Sequence, residues 1–126
     1  MEEQLVSFET AKLAKEKGFN EQCLECYTDK ETVYQNNNEN ILFTNTQLLT
    51  NFYSAPTQSL LQKWLREVHM IRVYPTHSTS GSFNFEIYIW DKPNNTGKWS
   101  RIGNISSSKT YEEALEKGLF QALKLI

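Results

Sequence analysis

The chain has 126 residues, of which 39% are hydrophobic, 13% aromatic and 22% charged. That composition suits one domain with one packed core and excludes a disordered polymer, which lacks the apolar bulk to offset chain entropy. The net charge of −2 divides unevenly: residues 1–56 hold four basic against nine acidic side chains, a net of −5, and residues 57–126 hold nine against six, a net of +3. Such halves can attract each other, or their charges can simply lie scattered over a solvated surface.

No apolar run approaches the roughly 20 residues of a bilayer-spanning helix. The acidic start Met-Glu-Glu-Gln predicts no secretion signal. Two cysteines do not make a secreted disulfide scaffold. The expected setting is therefore a reducing cytoplasm, and the sequons at Asn94 and Asn104 carry no meaning there.

In chain order, Ser7 is placed to cap a helix from Phe8 to about Lys17. Gly18 stands at its left-handed C-terminal position, with Phe19 as the apolar residue after it. Phe8, Ala11 and Ala14 give this helix a narrow apolar side, as in a thin lid. Cys23–Thr28 and Glu31–Gln35 read as a hairpin about Asp29-Lys30. Asn36, Asn37, Asn38 and Asn40 mark a turn. Ile41-Leu42-Phe43 is a short apolar stretch, and Gln47–Tyr53 fits a strand or a helix equally well.

Ala55–His69 then reads as one amphipathic helix, with Pro56 in its first turn and Leu60, Leu61, Trp64, Leu65 and Val68 on one stripe. Ile71 and Val73 alternate with Arg72 and Tyr74 as a half-buried strand, followed by a turn over Thr76–Ser82. Phe83, Phe85, Ile87 and Ile89 alternate with Asn84, Glu86, Tyr88 and Trp90, the clearest strand pattern in the chain. Asp91–Gly97 is a second turn, Trp99–Ile105 a third strand and Ser106–Lys109 a connection. The last helix opens on a capping box, Thr110 with Glu113, and its stripe is Tyr111, Leu115, Gly118, Leu119, Ala122 and Ile126. Gly118 costs a helix about 1 kcal/mol relative to Ala, so it marks the point where that helix crosses the sheet.

The predicted class is α+β. Residues 56–126 form an α-β-β-β-α unit whose antiparallel sheet carries both helices on one face. Residues 1–55 add a helix and one or two short strands, which either extend that sheet or cover its open face.

The residues that often carry chemistry have plainer explanations here. Cys23-Leu24-Glu25-Cys26 matches C-x-x-C, but a zinc site needs a second ligand pair and a redox site needs a helix N-terminus after a strand. The two thiols read as structural. His69 ends a helix, where an imidazolium meets the last carbonyls; His77 falls in a polar loop. No phosphate loop, nucleophile elbow or metalloprotease motif is present. The expectation is a chain that is not an enzyme, with no metal, no cofactor and no small-molecule substrate.

The candidate binding surface is the second face of the sheet, with Arg72, Tyr74, Glu86, Tyr88 and Trp90, joined by Trp99 and Arg101 from the third strand. Aromatic and basic groups on a sheet can stack nucleic-acid bases. The same face becomes a second core layer if residues 1–55 lie over it. Phe120 falls among Glu113, Glu116, Lys117 and Lys124, away from the last helix's stripe, and is a candidate contact for a protein partner or a second copy. Protein association is thus the leading expectation and nucleic-acid regulation the alternative.

Two segments resemble a group of small proteins encoded by phages and prophages of Bacteroides-type bacteria. They are Pro56-Thr57-Gln58-Ser59-Leu60-Leu61-Gln62-Lys63-Trp64-Leu65-Arg66-Glu67 and Thr110-Tyr111-Glu112-Glu113-Ala114-Leu115-Glu116-Lys117-Gly118-Leu119. The resemblance implies a phage-derived or host cytoplasmic setting and no particular mechanism. The α-β-β-β-α order is also similar to that of a double-stranded-RNA-binding domain. That family binds phosphates with lysines at the start of its last helix. Here only Lys109 is basic, and Glu112 and Glu113 follow it, where carboxylates repel phosphate.

Overall fold

The computed structural model describes residues 4–35, 42–77, 81–90 and 99–126; for Gln35 and residues 99–107 it describes the backbone alone. The Asn36–Asn40 turn, Ile41 and the Asp91–Gly97 turn lie outside the described residues. Two compact units emerge, residues 1–60 and residues 61–126. Both sheets are antiparallel and three helices accompany them, so the chain is α+β.

The first unit begins with α1, Phe8–Glu16. Ser7 Oγ accepts from Thr10 N at 3.3 Å, closing the N-terminus. At the other end Phe19 N donates to Ala14 O and Gly18 N to Lys15 O, with Gly18 at φ +93°. This is a Schellman closure, which needs a left-handed residue after the C-cap. Ala11 and Ala14 are buried, and Phe8 meets Tyr27 and Tyr53 edge-on at 5.6 Å each. The buried Tyr27 hydroxyl donates to Val6 O at 2.6 Å.

The hairpin is β1, Glu25–Tyr27, against β2, Val33–Gln35, and β3, Tyr53–Ser54, pairs on the other side of β1. Its sheet order is β2-β1-β3, separate from the second unit's sheet. The N-terminal strands therefore do not extend the later sheet. The hairpin loop is a three-residue connection. Glu31 N donates to Thr28 O, Thr28 N to Thr32 O, and Glu31 takes the left-handed position at φ 63°.

Of the ambiguous stretch Gln47–Tyr53, residues 47–52 are turns and irregular chain, and Tyr53 begins β3. Side chains supply their order. Asn45 Nδ2 donates to Phe19 O at 2.7 Å and its Oδ1 accepts from Ser54 N at 2.9 Å, both buried. Lys15 Nζ donates to Leu49 O at 2.9 Å, to Phe52 O at 2.7 Å and to Thr50 O at 3.4 Å.

The helix expected from Ala55 starts later, as α2, Gln58–Val68. Ala55 and Pro56 precede it and bond to other segments: Ala55 N donates to Glu25 O, and Pro56 O accepts from Val6 N. Thr57 is the capping residue, its Oγ1 accepting from Leu60 N at 3.2 Å. Leu61, Trp64 and Leu65 are buried, whereas Leu60 is half-buried and Val68 is 53% exposed. The buried side of α2 is thus narrower than the expected stripe.

The second unit's sheet is β4, Ile71–His77, β5, Phe83–Trp90, and β6, Trp99–Ser108, in the order β4-β5-β6. β4 runs past the expected turn, and Pro75 sits in it opposite Phe85. An edge strand tolerates proline because one side of it has no ladder to feed. β6 likewise outruns Ile105, with an irregular register opposite Phe83–Phe85. Ile71, Val73, Phe85 and Ile87 are the buried face. Gln62 Nε2 of α2 donates to Val73 O at 2.6 Å.

The last helix, α3, is Tyr111–Leu123, with Thr110 Oγ1 accepting from Glu113 N at 3.1 Å. The Glu113 carboxylate faces Lys117 Nζ at 3.7 Å, one turn onward. Tyr111 and Ile126 are exposed rather than on the buried stripe; Ala114 and Leu123 join Leu115, Gly118, Leu119 and Ala122 there. A Cβ on Gly118 would meet Val73 Cγ1 at 2.7 Å and Phe85 Cβ at 3.1 Å, so the helix does cross the sheet at this glycine. No described helix is long and apolar enough to cross a membrane.

Candidate functional site

Strand alternation separates two sets of side chains on the second unit's sheet. With Ile71, Val73, Phe85 and Ile87 buried, Arg72, Tyr74, Glu86, Tyr88 and Trp90 belong to the opposite face. Tyr74 is 37% exposed and the other four are half-buried. Register sets these residues in rows across the strands. Arg72 stands opposite Tyr88, which stands opposite Arg101 on β6; Tyr74 stands opposite Glu86, and Trp90 opposite Trp99. Directly opposed residues are close enough to interact. Trp99 and Arg101 are placed by backbone register alone.

Two interactions organise the centre of the face. The Tyr88 hydroxyl donates to Glu86 Oε2 at 2.7 Å. The Tyr74 and Tyr88 rings lie 6.1 Å apart at 58°, within the range of favourable tilted aromatic pairs. The Tyr88–Glu86 bond follows from their i, i+2 spacing on one strand, a signal readable in the sequence but missed in favour of the aromatic and basic residues. Its consequence is chemical: a carboxylate sits in the middle of the surface.

Phe120 lies elsewhere, on α3. It is half-buried, and Lys124 Nζ sits 4.6 Å from its ring centre. The lysine covers one aromatic face in a cation–π contact, so Phe120 is less open than its wheel position implies. The sheet residues form one surface, whereas no described contact joins Phe120 to them.

The remaining candidates are structural in their surroundings. His69 follows α2, its N–H donating to Leu65 O at 3.1 Å and its ring edge-on to Trp64 at 4.6 Å. His77 is not in a loop: it ends β4, exposed, with its ring 5.1 Å from Phe83. Cys23 and Cys26 are free and buried. Cys23 bridges to Phe43 outside β1, and Cys26 is the central residue of β1, opposite Tyr34 and Ser54. Burial pushes the Cys23 thiol up to about 11; the Ser54 hydroxyl, outside full hydrogen-bond geometry, offsets part of the rise, and Glu21 and Glu25 add to it. Burial raises Cys26 as well. Thiols held protonated are poor nucleophiles and poor metal ligands. Among the described residues no three His, Cys, Asp or Glu side chains gather as a metal site.

The arrangement can therefore offer aromatic area, one bonded carboxylate and an arginine on a strand-supported surface. No family model, no curated protein and no solved structure matches this chain.

Proposed function

We propose that the chain is a non-enzymatic binding protein that engages another protein through the Tyr74–Tyr88 face of its second sheet. The observation that carries this reading is the Tyr88–Glu86 hydrogen bond beside the tilted Tyr74 ring. Tyrosine supplies contact area with a polar tip and little rotamer entropy to lose, which is why it is enriched in protein interfaces. Glu86 stands on this face against Arg72 and Arg101, so the face lacks the run of cations from which phosphate-backbone affinity is built. The resemblance to small phage-encoded proteins is compatible with such a module, acting in a bacterial cytoplasm.

The test replaces Tyr74 with a photo-crosslinking phenylalanine. The expected result is a saturable adduct to one protein, competed by excess parent chain and lost with Tyr88→Ala in a chain that still folds. An adduct to nucleic acid, or oligonucleotide binding that weakens steeply with salt, overturns the reading in favour of a nucleic-acid regulator.

A further inference from the structure

The geometry points to the outer edge of β2 as a strand-addition site for an extended, basic peptide. β2 ends the order β2-β1-β3, so one of its sides pairs with β1 and the other pairs with no strand among the described residues. Pairing parity identifies the main-chain groups on that outer side. Thr28 N donates to Thr32 O where the hairpin closes. Hydrogen-bonded and non-hydrogen-bonded pairs alternate along an antiparallel ladder. Cys26–Tyr34 is then a bonded pair, and Tyr27–Val33 and Glu25–Gln35 are non-bonded pairs. The Glu25 carbonyl agrees: it turns away from β2 and accepts from Ala55 N at 2.9 Å. By the same parity the N–H and C=O groups of Val33 and Gln35 point outward. They form a line of two donors and two acceptors with a spacing of about 7 Å.

The side chains beside this line are apolar and open. Val33 is 43% and Tyr34 51% exposed. They alternate to opposite faces of the strand, and Phe43 stands edge-on to Tyr34 at 6.0 Å. Sheet edges are blunted by short strands, by lysine or proline, by bulges or by a covering segment; β2 is short, at three residues, but Val33-Tyr34-Gln35 carries neither lysine nor proline.

Charge selects the occupant. Residues 1–56 carry a net of −5, and the hairpin itself holds Glu25, Asp29 and Glu31 against Lys30. A second copy adding through the same edge sets two acidic units against each other across a two-fold axis. A strand with lysine or arginine at alternate positions is instead attracted. It takes main-chain bonds from Val33 and Gln35 and lays a β-branched residue against Tyr34.

The probe is an end-capped heptapeptide of alternating lysine and valine, titrated into the isotope-labelled full chain at low ionic strength. The Val33 and Gln35 amides are expected to shift and gain exchange protection, whereas the Tyr34 amide, already bonded to β1, changes little. Affinity is expected to fall about tenfold or more on raising salt to about 0.5 M, where the Debye length shrinks to a few ångströms. The matching glutamate–valine peptide is expected not to bind. Val33→Pro removes the outward N–H while leaving the β1 ladder intact, and is expected to weaken binding about tenfold. Should that variant not fold, Val33→Lys and a probe N-methylated at alternate amides on the parent chain carry the same test. Equal binding of the acidic peptide overturns the proposal. So does protection of Val33 that grows with chain concentration alone, or the absence of any shift at Val33 and Gln35 at millimolar peptide. The readout lies at residues 33 and 35, so its failure leaves the Tyr74–Tyr88 reading standing.

Discussion

A Cβ atom on Gly118 would stand 2.7 Å from Val73 Cγ1, closer than real side chains approach, with Phe85 Cβ at 3.1 Å on the same side. The glycine thus sets how near α3 lies to β4 and β5. Gly118→Ala gains about 1 kcal/mol of helix propensity but forces a methyl into a filled contact, at a cost of about 1–3 kcal/mol. Denaturant unfolding should show a net loss of up to about 2 kcal/mol. Adding Val73→Ala removes Cγ1, so the double variant should be more stable than the sum of the two single losses. Additive losses would mean that the helix simply shifts to make room.

Lys15 holds the turn after Asn45. Its ammonium reaches the carbonyls of Leu49, Thr50 and Phe52 and lies 5.2 Å from the Tyr53 ring centre. Hydrogen bonds from a charged donor each contribute about 1.5–3 kcal/mol when well formed, less at this partly exposed site. Lys15→Met keeps the stem and loses the donors. It should destabilise by about 1–2 kcal/mol and speed amide exchange over residues 49–53 before it affects α1. Unchanged exchange there would show that the turn is held by Asn45 alone.

How much of this was legible in the sequence depends on the range of the forces involved. The Ser7 and Thr110 caps, the Gly18 closure and the β5 alternation are local, and each appears where the sequence puts it. Gly118 was legible because a glycine inside a good helix needs a close neighbour, though not which neighbour. The start of α2 was misplaced because Pro56 also suits an extended chain, and the distant carbonyl of Glu25 and N–H of Val6 decide between the two. Residues 47–52 were ambiguous for the same reason, since Lys15 and Asn45 order them from outside. On the candidate site, alternation gave the membership of the face, but not the Tyr88–Glu86 bond that gives it a carboxylate centre. That β2 stands at one end of the order β2-β1-β3 was invisible in the sequence, because short strands do not announce their neighbours.

Cys23 ties its environment to alkaline pH. Its thiol rises from 9.0 to about 11 on burial. Below pH 9 both folded and unfolded chains keep the proton, and the contribution is complete. Between about 9 and 11 the unfolded chain ionises first, so stability falls as pH rises through that window, by at most on the order of 2–3 kcal/mol. Cys23→Ser should flatten the fall. At pH 8 iodoacetamide should label Cys23 in the native chain far more slowly than in denaturant, because the thiolate is the reactive form. Native labelling at the denatured rate would contradict the burial of the thiol.

Glu31 closes the β1–β2 hairpin in a left-handed conformation, at φ 63°, which a side chain with a Cβ adopts at a cost of about 1–2 kcal/mol. The position belongs to a type I turn followed by a one-residue bulge, where glycine is preferred. The side chain is exposed, so replacing it removes no core contact. Glu31→Gly should stabilise the chain by up to about 1 kcal/mol, since the relieved strain exceeds the extra freedom gained by the unfolded glycine. Glu31→Ala keeps the Cβ and separates the two causes. It should show little of that gain if strain is responsible, and all of it if the effect comes from removing a negative charge beside Asp29.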